Sequence, residues 1–116
     1  SLYVQVMEIH DQVMPKMGKI RGAQKQAQQF LDSLSGLPAR QSVASATYKQ
    51  RLETLISDLN YADFAMDKWM VEFNLDSAKD NQALRIAYLR SELDKVSNVK
   101  KAILGSLSKA DSLLKK

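Results

Sequence analysis

Apolar residues recur every three or four positions along three long stretches of the chain, and this spacing is typical of amphipathic α-helices. It is most regular between about residues 39 and 73, where steps of four and three alternate: Tyr48, Leu52, Leu55, Leu59, Ala62, Met66, Trp69 and Phe73. Between about residues 2 and 34 a central stripe repeats at every seventh position: Val6, Val13, Ile20, Ala27 and Leu34. The stretch from about residue 78 to 114 has the same pattern: Ile86, Leu89, Leu93, Val96, Ile103, Leu107, Ala110 and Leu114. We therefore predict three long helices.

Two short breaks separate the predicted helices. Gly36 and Pro38 follow the first stretch, as expected for a helix that ends at a glycine and cannot continue through a proline. Residues 74–77 separate the second stretch from the third, and Asp76 or Ser77 is the expected N-cap of the third helix. Three helices of similar length with short connections run up, down and up. The sequence thus predicts an all-α, antiparallel up-down-up three-helix bundle that forms a single domain over residues 1–116.

The first predicted helix contains an internal proline. Pro15 has no N–H to bond the carbonyl of Asp11, and its ring crowds that carbonyl, so we predict a kink near Pro15. Gly18 and Gly22 follow it, away from the apolar stripe. We interpret them as residues that weaken the helix, not as a helix-packing motif.

The composition argues against several kinds of site. The chain has no cysteine, and therefore no thiolate metal ligand and no cysteine nucleophile. Its apolar runs are only a few residues long, which is too short for a membrane-spanning helix. The net charge is +4, but aromatic residues are not interleaved with the basic ones, so we interpret the lysines as a solvated face and predict no nucleic-acid partner.

Sequence motifs for catalysis are also missing. The chain contains no Gly-x-Ser-x-Gly elbow and no glycine-rich phosphate loop, and its one histidine, His10, has no serine at helical spacing. We therefore predict that the chain is not an enzyme and uses no cofactor.

The side chains with the most chemical content lie near the start of the first predicted helix and the end of the second. One quarter of the surface of the first helix carries Met7, His10, Met14 and Met17, with Asp11 at its edge. The second helix carries Met66 and Met70 on one face, with Trp69 and Asp63 close by. In an up-down hairpin these two faces meet. We then expect His10 to lie level with Asp63, Met7 with Asp67, and Tyr88 of the third helix at the same height.

Three interpretations of this Met/His cluster are open. In the first, which we prefer, the methionines fill the core and His10 bonds Asp63, Tyr88 or a carbonyl. In the second, thioethers and an imidazole bind a soft ion, Cu(I) or Ag(I), through Met7, His10, Met14, Met66 and Met70. In the third, the methionines form an adaptable surface for a partner's apolar side chains. The candidates for partner contact are His10, Asp11, Asp63, Asp67 and Trp69.

Two segments of the chain resemble a known family. The segment Val-Met-Glu-Ile-His-Asp-Gln-Val-Met-Pro-Lys-Met at residues 6–17 resembles a stretch near the start of small lipoproteins from Bacteroidetes, which are often labelled viral A-type inclusion proteins. The segment Ala-Met-Asp-Lys-Trp-Met-Val-Glu-Phe at residues 65–73 is similar to a second marked segment of those proteins. The resemblance implies an exported protein of the cell envelope, with the signal and the lipid-bearing cysteine upstream of Ser1. It brings no catalytic residues with it.

The sequence therefore predicts a non-enzymatic helical bundle of the cell envelope that acts as a scaffold or binds a protein partner. Contact with the membrane is expected only through a lipid anchor upstream of Ser1. The alternative is a periplasmic protein that binds Cu(I) or Ag(I) through the Met/His cluster.

Overall fold

Helices dominate the chain. A computed structural model describes residues 1–115, and the side chains of all of them except residues 39, 40 and 42. Helix accounts for 87% of the described residues, and none of them forms a β-strand. The elements are α1 (Leu2–Val13), a 3-10 turn (Met14–Lys16), α2 (Met17–Ser35), α3 (Ala39–Ala44), α4 (Ala46–Glu72) and α5 (Gln82–Leu114). The all-α prediction is confirmed.

Three long helical units pack around one apolar core in a rod of 65 × 19 × 17 Å. The units are α1 with α2, then α4, then α5. The predicted stripes supply the side chains with no exposed surface: Val6, Val13, Ile20, Ala27, Leu52, Leu59, Ala62, Met66, Val96 and Ile103. Apolar spacing thus predicted correctly that three helices pack against one another. Within residues 1–115, none of the helices combines the length and the apolar content that a bilayer crossing requires.

The regular hydrogen bonding of the first unit is interrupted around Pro15. α1 ends at Val13, the residues Met14–Lys16 form a tighter 3-10 turn, and α2 begins at Met17. A proline cannot donate the next α-helical bond to the carbonyl of Asp11, which explains why the change falls here.

Gly18 and Gly22, just after this turn, make no close packing contact. A methyl group added at either position would meet no neighbouring atom within 4 Å. This agrees with our interpretation of both glycines, because a glycine packing motif requires a close approach of the neighbouring helix.

The second stretch is not one continuous helix, and that part of the prediction is wrong. Ser45 (φ −98°, ψ 8°) separates α3 from α4. The hydroxyl of Ser45 donates to the carbonyl of Gln41 at 2.8 Å, a local bond that competes with helix continuation. Val43, the only large apolar residue of α3, is 78% exposed, so burial does not fix this turn on the core. α4 therefore begins at Ala46.

The third helix also begins later than predicted, at Gln82. Neither Asp76 nor Ser77 caps it. Asn81 is the N-cap, and its Oδ1 accepts the backbone N–H of Leu84 at 3.1 Å.

Hydrogen bonds within the preceding loop explain this shift. The side-chain oxygen of Asn74 accepts the backbone N–H of Asp76 at 3.0 Å. The guanidinium of Arg85 donates to the carbonyl of Leu75 at 2.8 Å and to that of Ser77 at 3.2 Å. These bonds hold residues 74–77 in turns, so the capping motif in that segment does not start a helix.

Replacing Asn81 with alanine should lower the free energy of unfolding by about 1 kcal/mol, because the N–H of Leu84 then loses its acceptor. Asp76→Ala and Ser77→Ala, at the cap positions that the sequence suggested, should each change it by less than about 0.5 kcal/mol. Urea denaturation followed by circular dichroism measures all three. A larger loss for Asp76→Ala or Ser77→Ala than for Asn81→Ala would contradict the observed start of α5.

Candidate functional site

The predicted pairing of His10 with Asp63 or Tyr88 is wrong. The ring of His10 lies 6.0 Å from that of Trp69, and its Nδ1 is 3.0 Å from Oδ1 of the adjacent Asp11. Asp63 instead accepts from the amide of Gln24 at 3.5 Å. The cause is the connection between the helices. Because α4 begins at Ala46 and not near residue 39, its register against the first unit is displaced from the predicted one.

The predicted partner-contact residues therefore do not all lie together in the structure. His10, Asp11 and Trp69 lie together, whereas Asp63 belongs to the neighbourhood of Gln24. Asp67 is exposed on α4.

The methionines of the Met/His cluster differ in burial. Met66 is completely buried, Met7 and Met14 are half-buried, and Met70 is 36% exposed. Met66 is a core residue and Met14 packs against the core, in line with the packing interpretation for these two side chains. No group of three or more His, Cys, Asp or Glu side chains in the described part of the chain could hold a metal ion. That finding does not concern thioethers, so the Cu(I)/Ag(I) hypothesis stays a prediction.

Aromatic rings form a row that connects all three units. From His10 the row continues through Trp69 to Phe73, whose rings stack at 5.0 Å, and from Phe73 to Tyr88 of α5 at 6.1 Å. The hydroxyl of Tyr88 accepts the backbone N–H of Asn74 at 2.7 Å, which ties this ring to the end of α4. Trp69 is 6% exposed, and its indole N–H has no hydrogen-bond partner among the described residues.

A groove of about 590 Å³ lies beside this row, between α4 and α5. We call it the α4–α5 groove. The α4 side carries Tyr61, Phe64, Ala65, Lys68, Trp69 and Glu72, and the α5 side carries Tyr88, Glu92, Lys95, Asn98 and Val99. Four of these residues are aromatic. Tyr61 and Phe64 are 62% and 60% exposed, so the groove presents two large aromatic side chains to solvent.

The residue with the most unusual environment in the groove is Glu92. It is only 3% exposed, and it occupies a position of α5 that otherwise faces the core, between the buried Leu89 and Val96. Burial of an ionised carboxylate is costly unless it is fully paired. Its one ion pair within the described part of the chain is with Lys95, whose Nζ lies 3.0 Å from Oε2 of Glu92 without the alignment of a good hydrogen bond.

Two lysine ammonium groups lie over the groove. The side chain of Lys95, paired with Glu92, is 64% exposed and so reaches the carboxylate from the solvent side. Lys68 lies 6.0 Å from the centre of the Phe64 ring and 4.0 Å from Oε1 of Glu72. The groove therefore already accommodates positive charge next to a carboxylate and an aromatic face.

The adjacent carboxylate of Glu92 raises the pKa of Lys95 above its ordinary value, and the charges of Glu72 and Tyr88 add to this effect. A raised lysine pKa means that the ion pair contributes to stability at neutral pH, and that this contribution is lost as the pH rises through the raised value.

Sequence reasoning identified Trp69 and missed Glu92. A signal for Glu92 exists, since it lies three residues after Leu89 and four before Val96 and so continues a helical stripe. The neighbouring Leu93 fits the same stripe and is apolar, and for that reason it was the predicted core residue. No protein-family model, no curated protein and no solved structure matches this chain.

Proposed function

We propose that this chain is a non-enzymatic helical bundle of the cell envelope that binds a protein partner in the α4–α5 groove. The occupant is a segment of the partner that combines apolar side chains with a positive charge. The apolar part contacts Tyr61 and Phe64, and the charge approaches Glu92.

The observation that carries the proposal is the buried carboxylate of Glu92. A leucine at this position would complete the apolar stripe of α5, whereas the carboxylate loses most of its hydration and gains one solvent-exposed lysine as its partner. Residues that reduce stability in this way concentrate at binding sites. The exposed rings of Tyr61 and Phe64 support the same surface, because aromatic side chains are enriched at the centres of protein interfaces.

The other parts of the proposal rest on the sequence. The cell envelope follows from the resemblance of residues 6–17 and 65–73 to the Bacteroidetes lipoproteins. A non-enzymatic role follows from the missing catalytic motifs. Any membrane contact is proposed to use a lipid anchor upstream of Ser1.

Site-specific photo-crosslinking tests the proposal. A photoreactive amino acid replaces Phe64 in the α4–α5 groove or, as a control, the exposed Lys25 on α2, in cells that make the protein. We expect one partner to be captured at position 64 and not at position 25. The captured protein is then identified and purified, and its affinity is measured by calorimetry. Tyr61→Ala should weaken it about tenfold or more, and the exposed apolar control Val4→Ala should leave it unchanged. Equal capture at both positions, or an affinity that Tyr61→Ala does not change, would overturn the proposal.

For the fold, we further propose that the three units run up, down and up. Contacts between α4 and α5 support this order, because residue numbers rise on one helix as they fall on the other: Tyr48 with Leu113, Asp58 with Lys109, and Phe73 with Tyr88. The first unit has the same relation to α4: His10 with Trp69, and Gln24 with Asn60.

We also propose that the first unit bends at Pro15. The 3-10 turn Met14–Lys16 supports a bend, since a short tighter segment between two α-helices changes the geometry of the backbone at that point.

A further inference from the structure

We infer that the positive group bound in the α4–α5 groove is the guanidinium of an arginine, held by Glu92. This inference rests on the proposed function and names the chemistry of the partner segment. In the free protein Lys95 forms an ion pair with this carboxylate, and the arginine displaces Lys95 when it binds.

The surroundings of Glu92 favour a guanidinium over an ammonium. The carboxylate is almost completely buried and lines the same groove as the exposed aromatic residues Tyr61 and Phe64. A guanidinium is planar and weakly hydrated, can donate two parallel hydrogen bonds to a carboxylate, and stacks on aromatic faces. An ammonium ion is more strongly hydrated and loses more on entering such a site.

Lys95 sets the strength of this interaction. Its ammonium group is 3.0 Å from Glu92, but its side chain is 64% exposed and can turn into solvent. The ammonium group remains hydrated when it leaves the carboxylate, so an arginine that also packs on the exposed rings of Tyr61 and Phe64 can displace it. Removal of the Lys95 ammonium should leave Glu92 free for the ligand and tighten binding.

Nuclear magnetic resonance of the full chain tests the inference directly. The protein has a single tryptophan, so its one indole N–H signal reports on Trp69 alone. Three probes are titrated: the Nα-acetyl, C-terminal N-methylamide derivatives of arginine, citrulline and lysine. Citrulline has nearly the shape of arginine without the charge. We expect the arginine probe to shift the indole signal, the lysine probe to bind several-fold more weakly, and the citrulline probe to have no effect.

Two variants separate binding from folding. Glu92→Gln should lower the affinity for the arginine probe about tenfold or more, since the substitution removes a charge-assisted hydrogen-bonded pair. Lys95→Ala removes the ammonium group that pairs with Glu92 and should tighten binding of the probe roughly two- to fivefold. Equal shifts with arginine and citrulline, or an unchanged affinity in Lys95→Ala, would overturn the inference.

The two proposals fail in different ways. If the arginine probe does not bind while a partner is still captured at position 64 and depends on Tyr61, the inference about arginine is wrong and the proposed function stands. If the probe binds at Trp69 while capture does not favour position 64, the proposed function is wrong and the groove is an arginine site of another kind.

Discussion

Leu59→Ala should lower the free energy of unfolding by about 3 kcal/mol. Leu59 lies in the middle of α4, has no exposed surface, and belongs to the apolar core that all three units share. Truncation removes apolar contacts and leaves a cavity, because the surrounding core can collapse only partly. For a domain of this size the loss corresponds to a fall in Tm on the order of 10 °C.

Leu84→Ala is the matched control. Leu84 also lies in a helix, but it is 60% exposed near the start of α5, so the same truncation should change stability by less than about 0.5 kcal/mol. Urea denaturation followed by circular dichroism gives both values. Similar losses for the two variants would mean that α4 does not pack through the stripe that contains Leu59.

The helical stripes could be predicted because burial follows apolar spacing closely in long helices. In α4, six consecutive members of the predicted stripe are buried: Leu52, Leu55, Leu59, Ala62, Met66 and Trp69. The two outer members, Tyr48 and Phe73, are half-buried at the ends of the unit, where fewer neighbours cover them. A long helix with a single apolar face is stable in water when that face is buried. The local sequence is therefore sufficient to predict which face of α4 is buried.

The register between helices could not be predicted in the same way. Apolar spacing predicts which face of a helix is buried, but it does not predict at which residue the connection between the first unit and α4 ends. Here α3 and Ser45 lengthen the connection before α4, and Val43, which is 78% exposed, does not anchor α3 on the core. His10 consequently lies beside Trp69 and not beside Asp63. The predicted composition of the Met/His cluster depended on that register.

Glu92 shows a second limit of sequence reasoning. Two overlapping stripes of α5 have helical spacing, one through Leu93 and one through Glu92, and the apolar residue is the predicted core position. The structure buries Glu92 and leaves Leu93 half-buried. Only the packing of α5 against both other units decides between the stripes. The unpartnered N–H of Trp69 is likewise a property of the assembled groove.

Glu92→Leu should raise the free energy of unfolding by about 1–3 kcal/mol. The substitution restores an apolar side chain between Leu89 and Val96 and ends the burial of a carboxylate that has one exposed lysine as its partner. Loss of the ion pair should cost little in return, because Lys95 is mostly in solvent and remains hydrated when it is free.

The control is Glu53→Leu, which places the same substitution on an exposed position of α4 and should change stability by less than about 0.5 kcal/mol. Thermal and urea unfolding of both variants measure the difference. A destabilised Glu92→Leu protein would mean that the pair with Lys95 fully compensates the burial of the carboxylate, and the main support for a binding site there would be gone. The expected result is a more stable bundle that no longer binds the arginine probe, because the carboxylate that lowers the stability of the free protein is the group that holds the ligand.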